Sequence, residues 1–338
     1  MITGKSYSNG GIVDLSKAQS TILAYKSRGA QLWRRAAKEL EIGHDKLQPT
    51  QFLEWFETLL LSLKPASRRQ YIASAREYLL SIRSNNDVNK NFNSELLQSI
   101  QRMSLMQSNH YSITSKPKTR SKGKTSSQKS KKISAVTIAT LFRESKDLRG
   151  KWIKPALLWM SANVVVGLRP SEWRYAQLSA QDGKLNLVVI NGKNTNNRSH
   201  GEKRHLDLTY LRTDEINWVK QQLNTVKQYA KDNLLWNVYY TGVRQAIWHI
   251  TRKILPKNKK HPTLYTTRHQ FSANAKSSGQ SKVDIAAMMG HGVDITAGMH
   301  YAQKRFGEGG CRVKANPDEA LKVRVKSEIN KNHKHEIA

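Results

Sequence analysis

The stretch ALLWMSANVVVGLRPSEW, residues 156–173, decides how this chain is read. It is apolar from Ala156 to Val166, broken only by Ser161 and Asn163, and it stops at Gly167. A run that short cannot span a bilayer, which takes about 20 residues, so it reads as a buried helix closed by a glycine. Directly after it come Arg169, Pro170 and Glu172. An arginine at the end of a buried helix offers a fixed cationic fork, and that fork matches phosphate oxygens better than an ammonium does. Arg169 also has a plainer reading, as a cation meeting the negative end of the helix dipole.

C-terminal to this stretch, Leu185–Ile190 is rich in branched residues and predicts a strand. Asn191-Gly192 is a turn signal, and Arg204–Leu208 alternates as a returning strand. Helices are predicted over Thr213–Lys231, Val243–Ile254, Thr267–Lys276 and Ile285–Met289, and residues 313–338 as a charged tail with one helix. Immediately before, Ser134 caps a helix carrying Val136, Ile138, Leu141 and Phe142. Four short amphipathic helices are expected further upstream. Asp14 caps the first, which carries Ile22, Tyr25, Leu32 and Trp33 and ends near Gly43. The second starts near Thr50, the third follows Pro65, and a shorter fourth holds Leu96, Leu97 and Ile100.

Between these halves lies ITSKPKTRSKGKTSSQKSKK, residues 113–132, with seven lysines, one arginine and no acid. It cannot bury a core and reads as a flexible basic linker. One reading makes it a solvated spacer. The favoured one makes Lys116, Lys118, Arg120, Lys122 and Lys124 track a phosphate backbone, gaining affinity by counterion release. The resulting organisation is a helical domain over residues 14–105, a linker over 106–133, a second domain over 134–312 and a tail over 313–338.

The composition points the same way. In 338 residues, 57 lysines and arginines face 25 acids, for a net charge of +32 and a pI near 10.2. That surplus calls for a polyanionic partner, nucleic acid before an anionic membrane. The single cysteine, Cys311, excludes a disulfide framework and a thiolate zinc site. The polar start MITGKSYSNGG has no apolar core of a secretion signal, and the chain is expected in the cytoplasm.

Three further segments stand beside Arg169: Tyr265-Thr266-Thr267-Arg268-His269, Met289-Gly290-His291, and Tyr301 ten residues later. Together these resemble the tyrosine recombinase (phage integrase) family. Its pattern is an Arg in a Gly-Leu-Arg-x-x-Glu/Asp box, a hairpin Lys, a His-x-x-Arg-His box, a Gly-His box and then a nucleophilic Tyr. Arg169 and Glu172 match the first box, Lys193 just past the Asn191-Gly192 turn matches the hairpin Lys, and Arg268 with His269 matches the second box. Gly290-His291 matches the third box and Tyr301 the nucleophile. Any one box alone discriminates little; their order over about 170 residues discriminates well. Two departures stand out: Tyr265 occupies the usual His position, and His291 and Tyr301 lie one residue further apart than is commonest. Lys184 and Lys203 also flank the hairpin and are alternatives to Lys193.

The resemblance implies a mainly α fold with a small β-hairpin or sheet in the catalytic domain: a helical core-binding domain plus an α+β catalytic domain. It implies a site-specific DNA recombinase with Arg169, Lys193, Tyr265, Arg268, His291 and Tyr301 catalytic, and Glu172 and His269 supporting. Tyr301 would form a 3′-phosphotyrosine, and no cofactor or metal is required. The implied partners are double-stranded DNA with inverted half-sites and further copies of the chain, a dimer per site and a tetramer in synapsis. The tail is available to dock on a neighbouring copy, and the protein is expected to be nucleoid-associated. Alternatives are a type IB topoisomerase-like nicking and sealing enzyme, a DNA-binding protein that kept the fold but lost activity at Tyr265, and an RNA-binding protein.

Overall fold

The structure is a computed structural model. It describes residues 7–8, 11–12, 19–63, 65–85, 90–108, 129–181, 183–192 and 201–326. Asp14, most of the basic linker with Lys116, Lys118, Arg120, Lys122 and Lys124, and Lys193 lie outside the described residues. The chain divides into two compact units, Met1–Lys122 and Gly123–Ala338.

The first unit holds a two-residue hairpin, β1 (Tyr7–Ser8) with β2 (Gly11–Ile12), and four helices: α1 (Gln19–Glu39), α2 (Pro49–Ser62), α3 (Pro65–Asn85) and α4 (Lys90–Ser108). The amphipathic periodicity explains them. Leu32, Trp33 and Ala36 of α1 meet Phe52, Phe56 and Leu60 of α2, Ile72 and Leu79 of α3, and Leu96 and Met103 of α4 in one apolar core. Pro49 opens α2 where its missing N–H costs nothing. α1 and α3 span 21 residues each and α4 spans 19, longer than the short helices expected. Alternation of polar and apolar residues marks where a buried stripe lies but not where a helix frays.

The second unit opens with α5 (Ala135–Glu144), capped by the Ser134 hydroxyl, which accepts from the Thr137 N–H at 3.0 Å. α6 (Ile153–Val166) is the apolar run anticipated from sequence and packs against α7, α8 and α9. Its polar interruption is structural: the Asn163 amide donates to Thr267 Oγ1 at 2.8 Å and accepts from Trp173 Nε1 at 2.9 Å. Gly167 ends α6 with φ +65°, and a Cβ there would collide with the Phe271 ring, so glycine is required twice over. A 3-10 turn (Pro170–Tyr175) then leads into a four-stranded antiparallel sheet in the order β3 (Gln177–Gln181), β4 (Lys184–Ile190), β5 (Lys203–Asp207), β6 (Lys314–Ala315). Register pairs Leu187 with Leu206 and Val189 with Arg204. The helices α7 (Thr213–Tyr229), α8 (Asn233–Ile254), α9 (Leu264–Ser277), α10 (Lys282–Met288) and α11 (Thr296–His300), a 3-10 turn (Lys304–Phe306) and α12 (Pro317–Leu321) complete the unit. Trp159, Trp173, Tyr239 and Phe271 centre its core.

Residues 313–326, read from sequence as the start of a tail, are part of this unit. Val313 is buried, β6 adds to the edge of the sheet, and the Arg324 N–H donates to the Gly292 carbonyl at 3.1 Å. The weak periodicity has a simple cause: this segment gains its burial from residues far away in sequence, not from its own amphipathic face. Among the described residues no helix is long and apolar enough to cross a membrane.

Candidate functional site

Four segments meet around one carboxylate. The 3-10 turn begins with a capping arrangement in which Glu172 folds back on its own start. Its Oε2 accepts from the Arg169 backbone N–H at 2.7 Å, and its Oε1 accepts from Arg169 Nη1 at 2.6 Å. Arg204, projecting from the buried face of β5, donates from Nη2 to Glu172 Oε2 at 2.8 Å and from Nε to the Met288 carbonyl at 2.9 Å. Its Nη1 also bonds Asn191 Oδ1 in the turn after β4. Arg268 of α9 brings Nη1 to 3.7 Å from Glu172 Oε2. Glu172, Arg204 and Arg268 are fully buried, while the Arg169 side chain stays 11% exposed.

Burial alone would raise the Glu172 pKa, but the guanidiniums of Arg204, Arg268 and Arg169 outweigh it and hold the carboxyl far below its usual range. Glu172 is ionised at any working pH. One negative charge faces three positive ones, so the cluster keeps a net positive potential under a nearly closed surface.

Gly290 makes this convergence possible. It has φ +61°, and a Cβ on it would stand 2.6 Å from Asn191 Oδ1 and 2.8 Å from Arg204 Nη1. The chain therefore passes close over Arg204 before presenting His291.

Arg268 has little freedom. Its Nη2 donates to the Met289 carbonyl at 2.6 Å, its Nη1 to the Gly167 carbonyl, and its Nε to Tyr301 Oη at 3.1 Å. Tyr301, just past α11, is also bonded to Tyr265 Oη at 2.9 Å. The His291 ring lies 5.2 Å from the Tyr301 ring and the His269 ring 5.1 Å. Tyr265 and His269, one helical turn apart on α9, also face each other edge-on at 5.4 Å.

The titrations follow from this packing. For Tyr301, burial opposes ionisation, but Arg268, the Tyr265 hydroxyl and Arg169 together lower its pKa below the ordinary phenol value. Tyr265 goes the other way: burial, against some help from Arg268, pushes it up to about 12, with the neighbouring Tyr301 adding to the rise. Of the pair, Tyr301 is thus the phenol that ionises more readily, and Tyr265 the one that stays a donor. His291 is held well below its ordinary value by burial and then by Arg268, Arg169 and Arg204, so it is neutral. His269 is lowered to about 4 by burial and by Lys131, Arg268 and Lys276. His291 Nε2 lies 3.4 Å from Arg268 Nη2, and its buried Nδ1 has no hydrogen-bond partner among the described residues.

Of the residues singled out from sequence, Arg169, Glu172, Tyr265, Arg268, His269, His291 and Tyr301 converge here. Arg204 was missed as a site residue; the available signal was an arginine on the apolar side of a strand whose next inward positions are Leu206 and Leu208. Cys311 lies apart from this cluster, its thiol pushed up to about 11 by burial. Among the described residues no group of three or more His, Cys, Asp or Glu side chains is placed to hold a metal ion.

No protein-family model matches the chain, and no curated protein matches it in sequence. Its structure is similar to a lambda integrase(75–356) dimer bound to a COC′ core site, at 14% identity and a TM-score of 0.43, covering 84% of this chain and 89% of that one. It is similar to the XerH site-specific recombinase bound to difH substrate in a pre-cleavage complex, at 12% identity and a TM-score of 0.44, covering 82% and 75%. It is also similar to the XerA recombinase, at 14% identity and a TM-score of 0.34, covering 94% and 92%.

Proposed function

We propose that this chain is a site-specific DNA recombinase that cuts and rejoins duplex DNA through a 3′-phosphotyrosine, with Tyr301 as nucleophile. The observation that carries the reading is the setting of one phenol: Tyr301 Oη lies 3.1 Å from Arg268 Nε and 2.9 Å from Tyr265 Oη, beside a cluster of three guanidiniums. Phosphoryl transfer is mostly positioning and charge stabilisation. A lowered phenol pKa beside cations supplies the nucleophile, and the same cations stabilise the charge that builds on the phosphate.

The chemistry runs as an in-line exchange. The Tyr301 oxygen attacks phosphorus and gives up its proton to solvent water, and the bond from phosphorus to the 5′-oxygen breaks. Arg169, the most exposed of the three arginines, receives the non-bridging oxygens, and Arg268 meets them where it now meets Tyr301. His291 hydrogen-bonds the phosphate. Lys193 protonates the departing 5′-oxygen as general acid. A 5′-hydroxyl from another strand then reverses the step without an external energy source. Glu172 and Arg204 touch no substrate; they hold Arg169 and Arg268 in place.

The proposed substrate is duplex DNA with inverted half-sites, bound by a dimer per site and a tetramer in synapsis. Lys116, Lys118, Arg120, Lys122 and Lys124 add affinity without base readout. Neutralising them should weaken specific and random duplex alike and flatten the salt dependence by about 0.9 for each phosphate no longer neutralised.

The test is covalent trapping on a nicked suicide duplex. The wild-type chain should form a denaturant-stable adduct, and Tyr301→Phe should bind the DNA but form none. An adduct with the Phe variant would sink the assignment. Strand exchange between two duplexes, against relaxation of a supercoiled circle alone, separates recombinase from topoisomerase.

A further inference from the structure

The segment that carries Tyr301 has little holding it from within. α11 is five residues long, Met299 is 69% exposed, and a Cβ on Gly298 would meet nothing within 4 Å. Only Ala297, Tyr301 and Ala302 are buried. A segment with so little packing of its own needs an external anchor to keep a reactive oxygen in register.

Lys276 supplies one. It sits near the C-terminal end of α9, two turns beyond Arg268 on the same helix. Its Nζ donates to the Ala297 carbonyl at 2.9 Å and to the Ala302 carbonyl at 2.7 Å, and so grips the chain on both sides of Tyr301. The side chain is half-buried and makes no salt bridge among the described residues, and burial lowers its pKa. A cation placed there loses hydration without gaining an opposite charge, and what it gains is two backbone acceptors.

The rest of α9 repeats the pattern downstream. Gln270 donates to the Phe306 carbonyl at 2.8 Å, Asn274 Oδ1 accepts from the Glu308 N–H at 3.0 Å, and Ser277 Oγ accepts from the Gly309 N–H at 2.9 Å.

We propose that Lys276 is a positioning residue for the nucleophile: it fastens the two ends of the Tyr301 segment to the helix that bears Arg268, so that Tyr301 is delivered to the arginines of its own chain. The proposal rests on the reading of Tyr301 as nucleophile. One helix then carries the phosphate-binding arginine at one end and the clamp on the attacking group at the other, and the distance between attacker and phosphate is fixed by a single rigid element.

The test measures single-turnover adduct formation on the nicked duplex for wild type, Lys276→Met and Lys276→Arg. Misplacing a nucleophile by about 1 Å costs on the order of 100-fold, so Lys276→Met should slow adduct formation about 10- to 100-fold with DNA affinity unchanged. Lys276→Arg, which keeps several donors, should recover most of the rate. A second arm replaces the attacking group. In a Tyr301→Phe background, hydrogen peroxide serves as a small external nucleophile on the phosphodiester. Adding Lys276→Met to that background should leave peroxide-driven cleavage within about twofold, because the arginines stay in place. A wild-type adduct rate in Lys276→Met overturns the proposal, and so does an equal loss of peroxide cleavage, which would mark a general defect in the site. No adduct from the wild-type chain would instead refute the reading of Tyr301. The cis delivery is read by mixing Tyr301→Phe with Arg268→Ala chains: no adduct is expected, and an adduct would show that one chain attacks at another's arginines.

Discussion

The two units bury different kinds of matter. The core of the first is Trp33, Phe52, Phe56, Ile72, Leu79 and their neighbours, with Arg68 as its one buried charged side chain among the described residues. The second unit buries Arg169, Glu172, Arg204 and Arg268 together, with Asn163, Thr267 and His291 around them. Hydrophobic burial explains most of the first arrangement, Arg68 apart. It does not explain the second, because desolvating three guanidiniums and a carboxylate costs several kcal/mol per ion, which their attraction offsets only with good geometry. Such a cluster is a weak stabilising device. What it supplies is fixed positive charge beneath a nearly closed surface, which on the proposed reading is where a phosphate arrives.

The sharpest way to break this contrast is Glu172→Gln. The change keeps the shape and removes the one negative charge among three cations. It should destabilise the second unit by about 3–5 kcal/mol, read as an early unfolding transition by calorimetry, with the first unit's transition unmoved. If the second unit's transition also stays put, the cluster is not electrostatically coupled. The matching cut in the first unit is Leu79→Ala, which should cost about 2–5 kcal/mol through transfer and cavity terms. There the loss should be independent of pH and salt.

Acid separates the units next. His269 and His291 have folded-state pKa values below the unfolded one near 6.5, and Glu172 lies below its unfolded value near 4.5. Each group is stabilising above its unfolded pKa, and that stability is lost as pH falls toward the folded value. The second unit should therefore weaken from about pH 6.5 downward, first through the histidines and below about 4.5 through Glu172. Among the described residues of the first unit only an exposed Glu39 has a lowered pKa, so its melting should hardly change between pH 8 and 5. A parallel decline in both units would contradict this assignment.

The smallest expected effect concerns Tyr265. Tyr265→Phe removes one hydrogen bond to Tyr301, worth about 0.5–1.5 kcal/mol, so adduct formation should slow about two- to tenfold. Tyr265→His should retain the rate or raise it. The two rates measured from pH 6 to 9 are decisive: a dead His variant beside a fully active Phe variant would make Tyr265 a packing residue.

What the sequence made legible is local. Gly167, the Ser134 cap and the run from Ala156 to Val166 each announce themselves within one helical turn or one apolar stripe. Arg169, Glu172, Tyr265, Arg268, His269, His291 and Tyr301, which the structure brings together, were legible because their types and order were informative. β3 was not, since Gln177-Leu-Ser-Ala-Gln181 lacks the β-branched and aromatic side chains that signal a strand and is held by pairing with β4. Arg204 looked like an ordinary strand cation, and its meaning came only from Glu172, 32 residues away. Lys276 sits among the polar residues closing a helix, where lysine is expected on dipole grounds, and nothing in its neighbours points to Ala297 and Ala302. Residues 313–326 belong with these, being ordered by partners that local patterning cannot reveal.

The reach of Arg268 has a further consequence, for the order in which the protein is made. Its bond to the Gly167 carbonyl closes 101 residues of chain, and the Arg204 bond to Met288 closes 84. Contacts of that span carry the entropy of large loops and form late. A ribosome must release both sides of each loop before the cations can gather. The cluster is thus unformed in every nascent or half-folded copy, and on the proposed reading a strongly basic chain that reaches DNA early in its life could not yet nick it.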